Sequence, residues 1–216
     1  MPTQRRLFRE PFNGFSHLAG AGLSVWGLVV LMLAAARSGS SARIIAYAVY
    51  GASLIMLYTA SSVYHLLLVP EKVTRALRYV DHMMIYFLIA GTYTPICLLV
   101  LPGSWGRNIL IGIWALAGAG MVTTGLWLNA PRWLSTLIYV LMGWAIIIAA
   151  PPLLRSLGRA AFAWLLAGGL FYSVGAFIYA TKRPNFAAKI LGFHELFHLF
   201  ILAGSFCHYW LILKYV

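Results

Sequence analysis

Residues 18–36 read LAGAGLSVWGLVVLMLAAA, nineteen consecutive residues without a charged side chain. An α-helix rises about 1.5 Å per residue, so this run comes close to spanning the ~30 Å hydrocarbon core of a bilayer. Hydrocarbon offers no hydrogen bonds to a peptide backbone, whereas a helix satisfies its backbone groups internally. The run therefore predicts a transmembrane helix.

Apolar runs of the same kind fill the rest of the chain. Hydrophobic residues make up 62% of its 216 residues and charged residues only 9%, against roughly 25% charged residues in an ordinary soluble domain. This composition excludes a soluble globular protein, and the short breaks between runs contain proline, glycine or polar residues, as turns do. We predict an all-α polytopic membrane protein, with residues 1–216 forming a single transmembrane domain of seven helices. The predicted helices span residues 15–36, 44–69, 81–101, 108–129, 133–153, 160–181 and 191–213.

The net charge of +12 comes from basic residues that lie mostly between the apolar runs. That placement suits lipid headgroups, and no basic face with interleaved aromatics is evident, so we do not expect nucleic acid as a partner. A cytoplasmic N-terminus and an external C-terminus put ten basic residues inside and six outside, the asymmetry that membrane proteins favour. The inside set is Arg5, Arg6, Arg9, Lys72, Arg75, Arg78, Arg132, Lys182, Arg183 and Lys189, and the outside set is Arg37, Arg43, Arg107, Arg155, Arg159 and Lys214.

Polar residues that can do chemistry converge on one membrane depth. Ionisable groups inside membrane spans are costly and mark functional sites by default, and this chain has only four acidic residues and six histidines. Ser61 and His65 are four residues apart and share a face at the cytoplasmic end of helix 2. His194 and His198 have the same spacing in the first two turns of helix 7. Asp81, expected at the start of helix 3, lies at a matching level.

Three histidines from two helices with a carboxylate nearby suit zinc. Neutral imidazoles bind Zn²⁺, and three protein ligands leave a fourth position for a water whose pKa falls toward about 7. We predict that the ligands are His65, His194 and His198. Asp81 would orient that water or act as general base, and Ser61 would hydrogen-bond a substrate oxygen.

The sequence also leaves structural interpretations of these residues open. Asp81 can pair with Arg78 or cap helix 3, and Ser61 can bond a carbonyl of its own helix. His65 can be a packing residue at a helix interface.

Other polar residues of the same kind lie outside this set of five. Glu10, Asn13 and His17 lie at the start of helix 1 on the cytoplasmic side, where His17 is expected to support the site or the fold. His208 shares a face with His194 but lies fourteen residues further on. That spacing corresponds to about 21 Å along the helix, so His208 cannot bind the same metal.

The order of these motifs resembles a known family. The chain carries Glu10-x-x-Asn13-x-x-x-His17, Ser61-x-x-x-His65, Asp81-His82 leading to Gly91-Thr92-Tyr93-Thr94-Pro95, and His194-x-x-x-His198. In these motifs it resembles bacterial hemolysin III-like proteins, which include TrhA-type membrane homeostasis proteins and are similar to the progestin and adiponectin receptor (PAQR) family. The resemblance implies a seven-helix protein of the bacterial inner (cytoplasmic) membrane with a cytoplasm-facing zinc site, within a wider group that also holds the alkaline ceramidases.

The resemblance also implies roles for individual residues. It gives His65, His194 and His198 as the zinc ligands. It gives Asp81 as the residue that contacts zinc through water, and Ser61 as the serine of the motif.

Three functions are compatible with the sequence. The leading one is a zinc-dependent hydrolase of a lipid-like amide or ester, with ceramidase-like chemistry and a role in membrane homeostasis. The second is a non-enzymatic membrane sensor or regulator with a structural zinc, although structural sites usually have four protein ligands. The third is a cytolysin or pore, which would need a polar stripe through the whole membrane, whereas here polarity concentrates on one side. The substrate and the oligomeric state stay open.

Overall fold

The computed structural model of the protein describes residues 7–127, 131–186 and 191–216. Within these ranges the chain is helical and contains no β-strand, so the all-α prediction is confirmed. The predicted end of helix 4 at residue 129 and the basic residues Arg5, Arg6 and Lys189 lie outside the described residues. The elements are α1 (Pro11–Ser38), α2 (Ser41–Leu66), α3 (Glu71–Leu99), α4 (Gly103–Leu126), α5 (Arg132–Trp144), a 3-10 segment (Ala145–Ala149), α6 (Ala150–Thr181) and α7 (Phe193–Tyr215).

The expectation that Asp81 begins the third helix is wrong. Helix α3 begins ten residues earlier, at Glu71, so Asp81 lies about three turns inside it and cannot cap it. Residues 71–80 read EKVTRALRYV, in which apolar residues recur every three or four positions among charged ones. This amphipathic pattern continues the helix past the hydrocarbon, whereas the length of an apolar run reports only the part that lipid surrounds.

The fifth and sixth predicted helices belong to one helical run of 50 residues, Arg132–Thr181, which folds back on itself. The helix path is broken at Gly158, whose φ of 77° and ψ of 173° are non-helical. The indole Nε1 of Trp144 donates to Ser173 Oγ at 2.8 Å. These two residues lie fourteen positions before and fifteen after Gly158. Because residues at similar distances from the break meet, the two arms of the run are antiparallel.

Large apolar side chains cover the outside of the bundle. Trp26 is 66% exposed, Leu126 83% and Phe177 68%. Water would not tolerate so extensive an apolar surface, but lipid does. With Arg132–Thr181 taken as one, the described part of the chain has six helices long and apolar enough to cross a membrane. The protein is therefore a multi-pass membrane protein.

The helices pack mainly against their neighbours in sequence. Helix α1 packs on α2, α2 on α3, α3 on α4 and α6 on α7, and α1 also contacts α7. One buried apolar cluster lies among α1, α2, α3 and α7, and a second among α3, α4, α5, α6 and α7. The Tyr93 hydroxyl on α3 strengthens the second, because it donates to the Met142 carbonyl at 2.7 Å and accepts from the Ile146 amide at 2.7 Å. Helix α3 is thus the central element.

The reversal at Gly158 requires glycine. Its dihedral angles lie in a region that side-chain-bearing residues avoid, at a cost of about 1–3 kcal/mol. We expect Gly158→Ala to lower the thermal unfolding midpoint of the detergent-purified protein. Gly118→Ala is the control, because Gly118 lies within a helix with open space where a Cβ would be added, and this substitution should be neutral or slightly stabilising. Equal midpoints for the two variants would contradict this account of the turn.

Candidate metal centre and its cavity

Three histidine rings meet where α2 ends and α7 begins. His65 lies in the last turn of α2, His194 in the first turn of α7, and His198 one turn later. One ligand nitrogen from each lies within 4.8 Å of the others. His65 and His198 are each only 1% exposed, and His194 is partly exposed. The structure therefore brings together the three residues that the sequence predicts as metal ligands.

Glu10 is held beside His65 by both its backbone and its side chain. The Glu10 amide donates to the His65 carbonyl at 2.9 Å, and the Arg9 amide donates to the Leu66 carbonyl at 3.3 Å. Nδ1 of His65 lies 2.7 Å from Oε2 of Glu10. Because a carboxylate only accepts hydrogen bonds, Nδ1 carries the proton and donates it to Glu10. A neutral His65 then has its Nε2 lone pair free for a metal.

The carboxyl group of Glu10 is ionised at neutral pH. The hydrogen bond from His65 lowers the pKa of Glu10 from 4.5 to about 2, against the opposing effect of burial. Asn13 Nδ2 also donates to Glu10 Oε2 at 3.1 Å, and Arg9 Nε lies 3.8 Å from Oε1. The histidine cluster therefore has a full negative charge beside it, and this charge favours a bound cation.

The beginning of α1 also reaches the helix that carries the other two histidines. Nδ1 of His194 lies 3.3 Å from Asn13 Nδ2 and 3.6 Å from Glu10 Oε2. Asn13 Nδ2 is also 3.5 Å from Glu195 Oε1, and Glu195 in turn accepts from the Gly192 amide at 2.9 Å at the start of α7. Because the Asn13 amide nitrogen only donates, Nδ1 of His194 is the acceptor in that contact. A metal on Nε2 would instead require a proton on Nδ1, directed to the Glu10 carboxylate.

The donor set fits a zinc-type metal. Zinc–nitrogen bonds are about 2.0–2.1 Å long, so ligand nitrogens within 4.8 Å of one another need only small ring movements to share one ion. Three imidazoles, two of them buried, with a carboxylate hydrogen-bonded to one are typical of metal sites in which residues outside the ligand set orient the ligands. Nδ1 of His198 has no hydrogen-bond partner among the described residues. The cluster of His65, His194 and His198 can therefore hold a metal ion.

Asp81 and Ser61 lie beside the cluster rather than in it. Ser61 is one turn before His65 on α2 and is only 2% exposed. Asp81 and Ser61 both line the same cavity as His194 and His198. The arrangement holds a carboxylate near the histidines without making it one of the close ligand set.

His17 packs directly on His198. Their ring centroids are 3.8 Å apart with an angle of 33° between the planes, and the edge of Tyr58 closes the other side at 5.0 Å. His17 is 3% exposed, and neither of its ring nitrogens has a hydrogen-bond partner within the described ranges. The structure places His17 in the wall of the site and outside the group of three ligand nitrogens.

The histidine cluster opens into a cavity of about 660 Å³ between α2, α3, α5, α6 and α7. This volume is in the range of small-molecule binding sites. Near the histidines the wall includes Asp81, Arg78 and Arg132, and further in it is mostly aliphatic and aromatic. His208 lies at the inner end. The cavity therefore has a polar end at the cluster and a long apolar interior.

The sequence pattern contained a signal for Glu10 and its neighbours. Glu10, Asn13 and His17 follow one another at the spacing that places side chains on one face of a helix. The contact of Glu10 with His65 depends on the pairing of the segment before α1 with the end of α2, which no local pattern reveals.

The comparison with known proteins covers nearly the whole chain. The Haemolysin-III related family matches residues 5–209. The chain belongs to this family. Hemolysin-3 of Bacillus cereus is 39% identical over 207 residues, which are 96% of this chain and 91% of that protein. The Hemolysin-3 homolog of Bacillus subtilis (strain 168) is 38% identical over 206 residues, 95% of this chain and 93% of that protein.

A more distant similarity extends to animals. The human monocyte to macrophage differentiation factor is 26% identical over 173 residues, 78% of this chain and 69% of that protein. The family resemblance drawn from the motifs is thus confirmed for this haemolysin-III protein.

The outer contact from Glu10 generates a prediction about metal affinity. Loss of a carboxylate that orients a ligating histidine typically weakens metal binding by about 10–100-fold. We expect Glu10→Gln to weaken zinc binding by this factor, measured by competition with a chelating dye on detergent-purified protein. Glu71→Gln is the matched control, because the Glu71 side chain is 87% exposed and its salt bridge is to Arg75. Equal zinc affinities in the two variants would show that Glu10 does not support the site.

Proposed function

We propose that this haemolysin-III protein is a zinc-dependent hydrolase that acts on a lipid-like amide or ester within the membrane. The observation that carries the proposal is that the histidine cluster and Asp81 open on one large, mostly apolar cavity. Such a cavity suits an acyl chain, and its polar end suits the group that reacts. The proposed location is the bacterial inner membrane, and the proposed role is membrane homeostasis.

We further infer that the chain crosses the membrane seven times with its N-terminus in the cytoplasm. A straight helix of 50 residues would be about 75 Å long, more than twice the hydrocarbon thickness of a bilayer. The reversal at Gly158 divides this run into two arms that each suit one crossing. In this orientation the histidine cluster faces the cytoplasm together with Arg9, Arg78 and Arg132, as the positive-inside rule favours.

Cysteine labelling tests this topology. Cys97 and Cys207 are both buried and free, so alanine at both positions provides a background without thiols. In that background Ser156→Cys, beside the reversal, should react with a membrane-impermeant maleimide added to spheroplasts. Lys182→Cys should react only after permeabilisation. The opposite pattern would invert the orientation.

A third outcome of the labelling bears on the number of crossings. If both introduced cysteines react from the same side of the membrane, the run Arg132–Thr181 does not cross twice as proposed.

The metal would be held by His65, His194 and His198. Zinc with three protein ligands and an open position supplies a nucleophilic water at neutral pH. Glu10 holds His65 in the tautomer that leaves Nε2 free. The fixed carboxylate also balances part of the charge of the cation.

Proton transfer would fall to Asp81. Asp81 lines the cavity wall, where its carboxylate can accept a proton from the nucleophile and return it to the leaving amine or alcohol. Ser61 lines the same cavity, and its hydroxyl would hydrogen-bond a substrate oxygen. Arg78 and Arg132 line the same cavity, and their positive charge suits the carboxylate product.

A non-enzymatic role is supported by a different observation. The three histidines join α2 to α7, and Glu10 adds the beginning of α1 to the same junction. A metal at this point would clasp the first and last helices, as a structural zinc in a membrane sensor or regulator would. The two functions differ in what a change at Asp81 should do.

Metal content and turnover together separate these roles. Elemental mass spectrometry of detergent-purified protein should find about one zinc per chain, lost in His194→Ala/His198→Ala. Asp81→Asn should retain the zinc yet lower hydrolysis of a fluorescent long-chain N-acyl amide or ester by about 10²–10⁴-fold. Glu71→Gln, which changes an exposed acid away from the cavity, should retain both.

Each contrary result points to a specific correction. Undiminished turnover in Asp81→Asn would remove Asp81 from the mechanism. Zinc that raises the unfolding midpoint of a wild-type protein without hydrolytic activity would favour the structural clasp. Zinc absent from carefully purified wild-type protein would remove the hydrolase mechanism.

A further inference from the structure

A second group of polar side chains lies at the inner end of the cavity. His208 follows His198 by ten residues on α7, about 15 Å along the helix axis, and is 7% exposed. Its ring lines the cavity and packs on Gly168 of α6, where any added Cβ would overlap Nε2. Polar groups this far into a membrane-embedded bundle are costly, and they mark functional positions by default.

One nitrogen of the His208 imidazole has no hydrogen-bond partner in the part of the chain that the structure describes. Nε2 lies 3.2 Å from the Leu165 carbonyl oxygen. Because a carbonyl only accepts, Nε2 carries a proton, and in the neutral ring Nδ1 is then an acceptor. Nδ1 is buried and has no hydrogen-bond partner among residues 7–127, 131–186 and 191–216. A buried acceptor in this state is unfavourable until a donor reaches it.

The ring of Tyr172 on α6 packs edge-on against the ring of His208. The centroid of its ring is 5.3 Å from that of His208, and it too lines the cavity. Its hydroxyl lies 2.9 Å from Ser205 Oγ, which also accepts from the Tyr58 hydroxyl at 2.6 Å. If Ser205 gives its single proton to Tyr172, the Tyr172 hydroxyl keeps a proton to donate elsewhere. The inner end of the cavity can therefore offer an acceptor and a donor close together.

We propose that His208 and Tyr172 form a subsite for a hydroxyl group carried on the acyl chain of the ligand. A hydroxyl both donates and accepts, so it can give its proton to Nδ1 of His208 and accept one from Tyr172. This inference rests on the proposed function, because it places the reacting end of the ligand at the histidine cluster and its chain along the cavity. It deepens that function by naming the substrate class as hydroxylated acyl chains.

The spacing of the two sites sets the position of the hydroxyl. An extended chain advances roughly 1.2 Å per bond. The axial distance of about 15 Å between His198 and His208 then corresponds to about a dozen bonds. The favoured hydroxyl lies near the twelfth carbon from the reacting group. A hydroxyl next to the carboxyl group would not reach this subsite.

Three saturated eighteen-carbon acids test the proposal on zinc-loaded protein in nanodiscs. One is unsubstituted, one carries its hydroxyl on the twelfth carbon, and one carries it on the second. Their affinities are measured by displacement of a fluorescent fatty acid. The acid with the distant hydroxyl should bind about 3- to 10-fold more tightly than the other two, the gain expected from a net hydrogen bond.

Two variants locate the effect. His208→Phe should abolish the preference, so that the three acids bind this variant with equal affinity. Tyr209→Phe is the control, because it removes the neighbouring hydroxyl on α7, which donates to the Gly27 carbonyl of α1 at 3.1 Å. It should keep the preference. If His208→Phe does not fold, the comparison of the three acids on the wild-type protein still decides the proposal.

The results separate a failure of the subsite proposal from a failure of the proposed function on which it rests. Equal binding of all three acids, or a preference that survives in His208→Phe, would overturn the subsite and leave the lipid-binding cavity intact. In that case a resident water is the partner of Nδ1. Binding of none of the acids to a protein that retains its zinc would overturn both the subsite and the proposed acyl-chain substrate.

Discussion

Hydrocarbon cannot donate or accept hydrogen bonds, and the structure of this protein follows from that constraint. Side chains such as Trp26 and Phe177 face outward, while hydroxyl groups on the spans turn inward and bond to their own helix. The hydroxyls of Thr92 and Thr94, for example, donate to carbonyls four residues earlier at 2.8 and 2.9 Å. Polar groups that lack such a partner stand out against this background. Among the described residues, His17, His198 and His208 are such groups and line one cavity, where a metal ion or a ligand can complete their hydrogen bonding or coordination.

The histidine cluster depends on how three helix ends meet. Backbone hydrogen bonds fix the segment before α1 to the last turn of α2, and this contact places Glu10 beside His65. Asn13, in the first turn of α1, reaches toward the beginning of α7. A charged carboxylate is expensive in an apolar bundle unless it is paired, and here its partners are Arg9 and two of the candidate metal ligands. The side chains around the histidine cluster are thus arranged so that they provide partners for the Glu10 carboxylate.

The cavity leaves space for a ligand at the expense of close packing between helices. Helices α1, α2 and α3 pack closely on one side and α6 with α7 on another, whereas α5 contacts α3 and α6 more sparsely. An internal space of about 660 Å³ lowers stability relative to a filled core, because its walls lose dispersion contacts. The close packing on either side supports this opening. Tyr93 fixes the 3-10 segment of the α5 arm to α3 through its hydroxyl, so the arm stays in place despite the sparse contacts.

The sequence by itself determined that the chain is helical, that it belongs in a membrane, and that His65, His194 and His198 lie at one depth. Apolar run length and helical spacing are local quantities, and they suffice for these conclusions. These quantities gave the wrong start for α3, because the helix begins at Glu71, several residues before the part of it that lies in the hydrocarbon. Only the tertiary structure decided that Glu10 supports His65, that Ser61 and Asp81 line one cavity, and that His208 packs on Gly168. Each of these arrangements joins residues far apart in the chain, and their distances are set by how the helices pack.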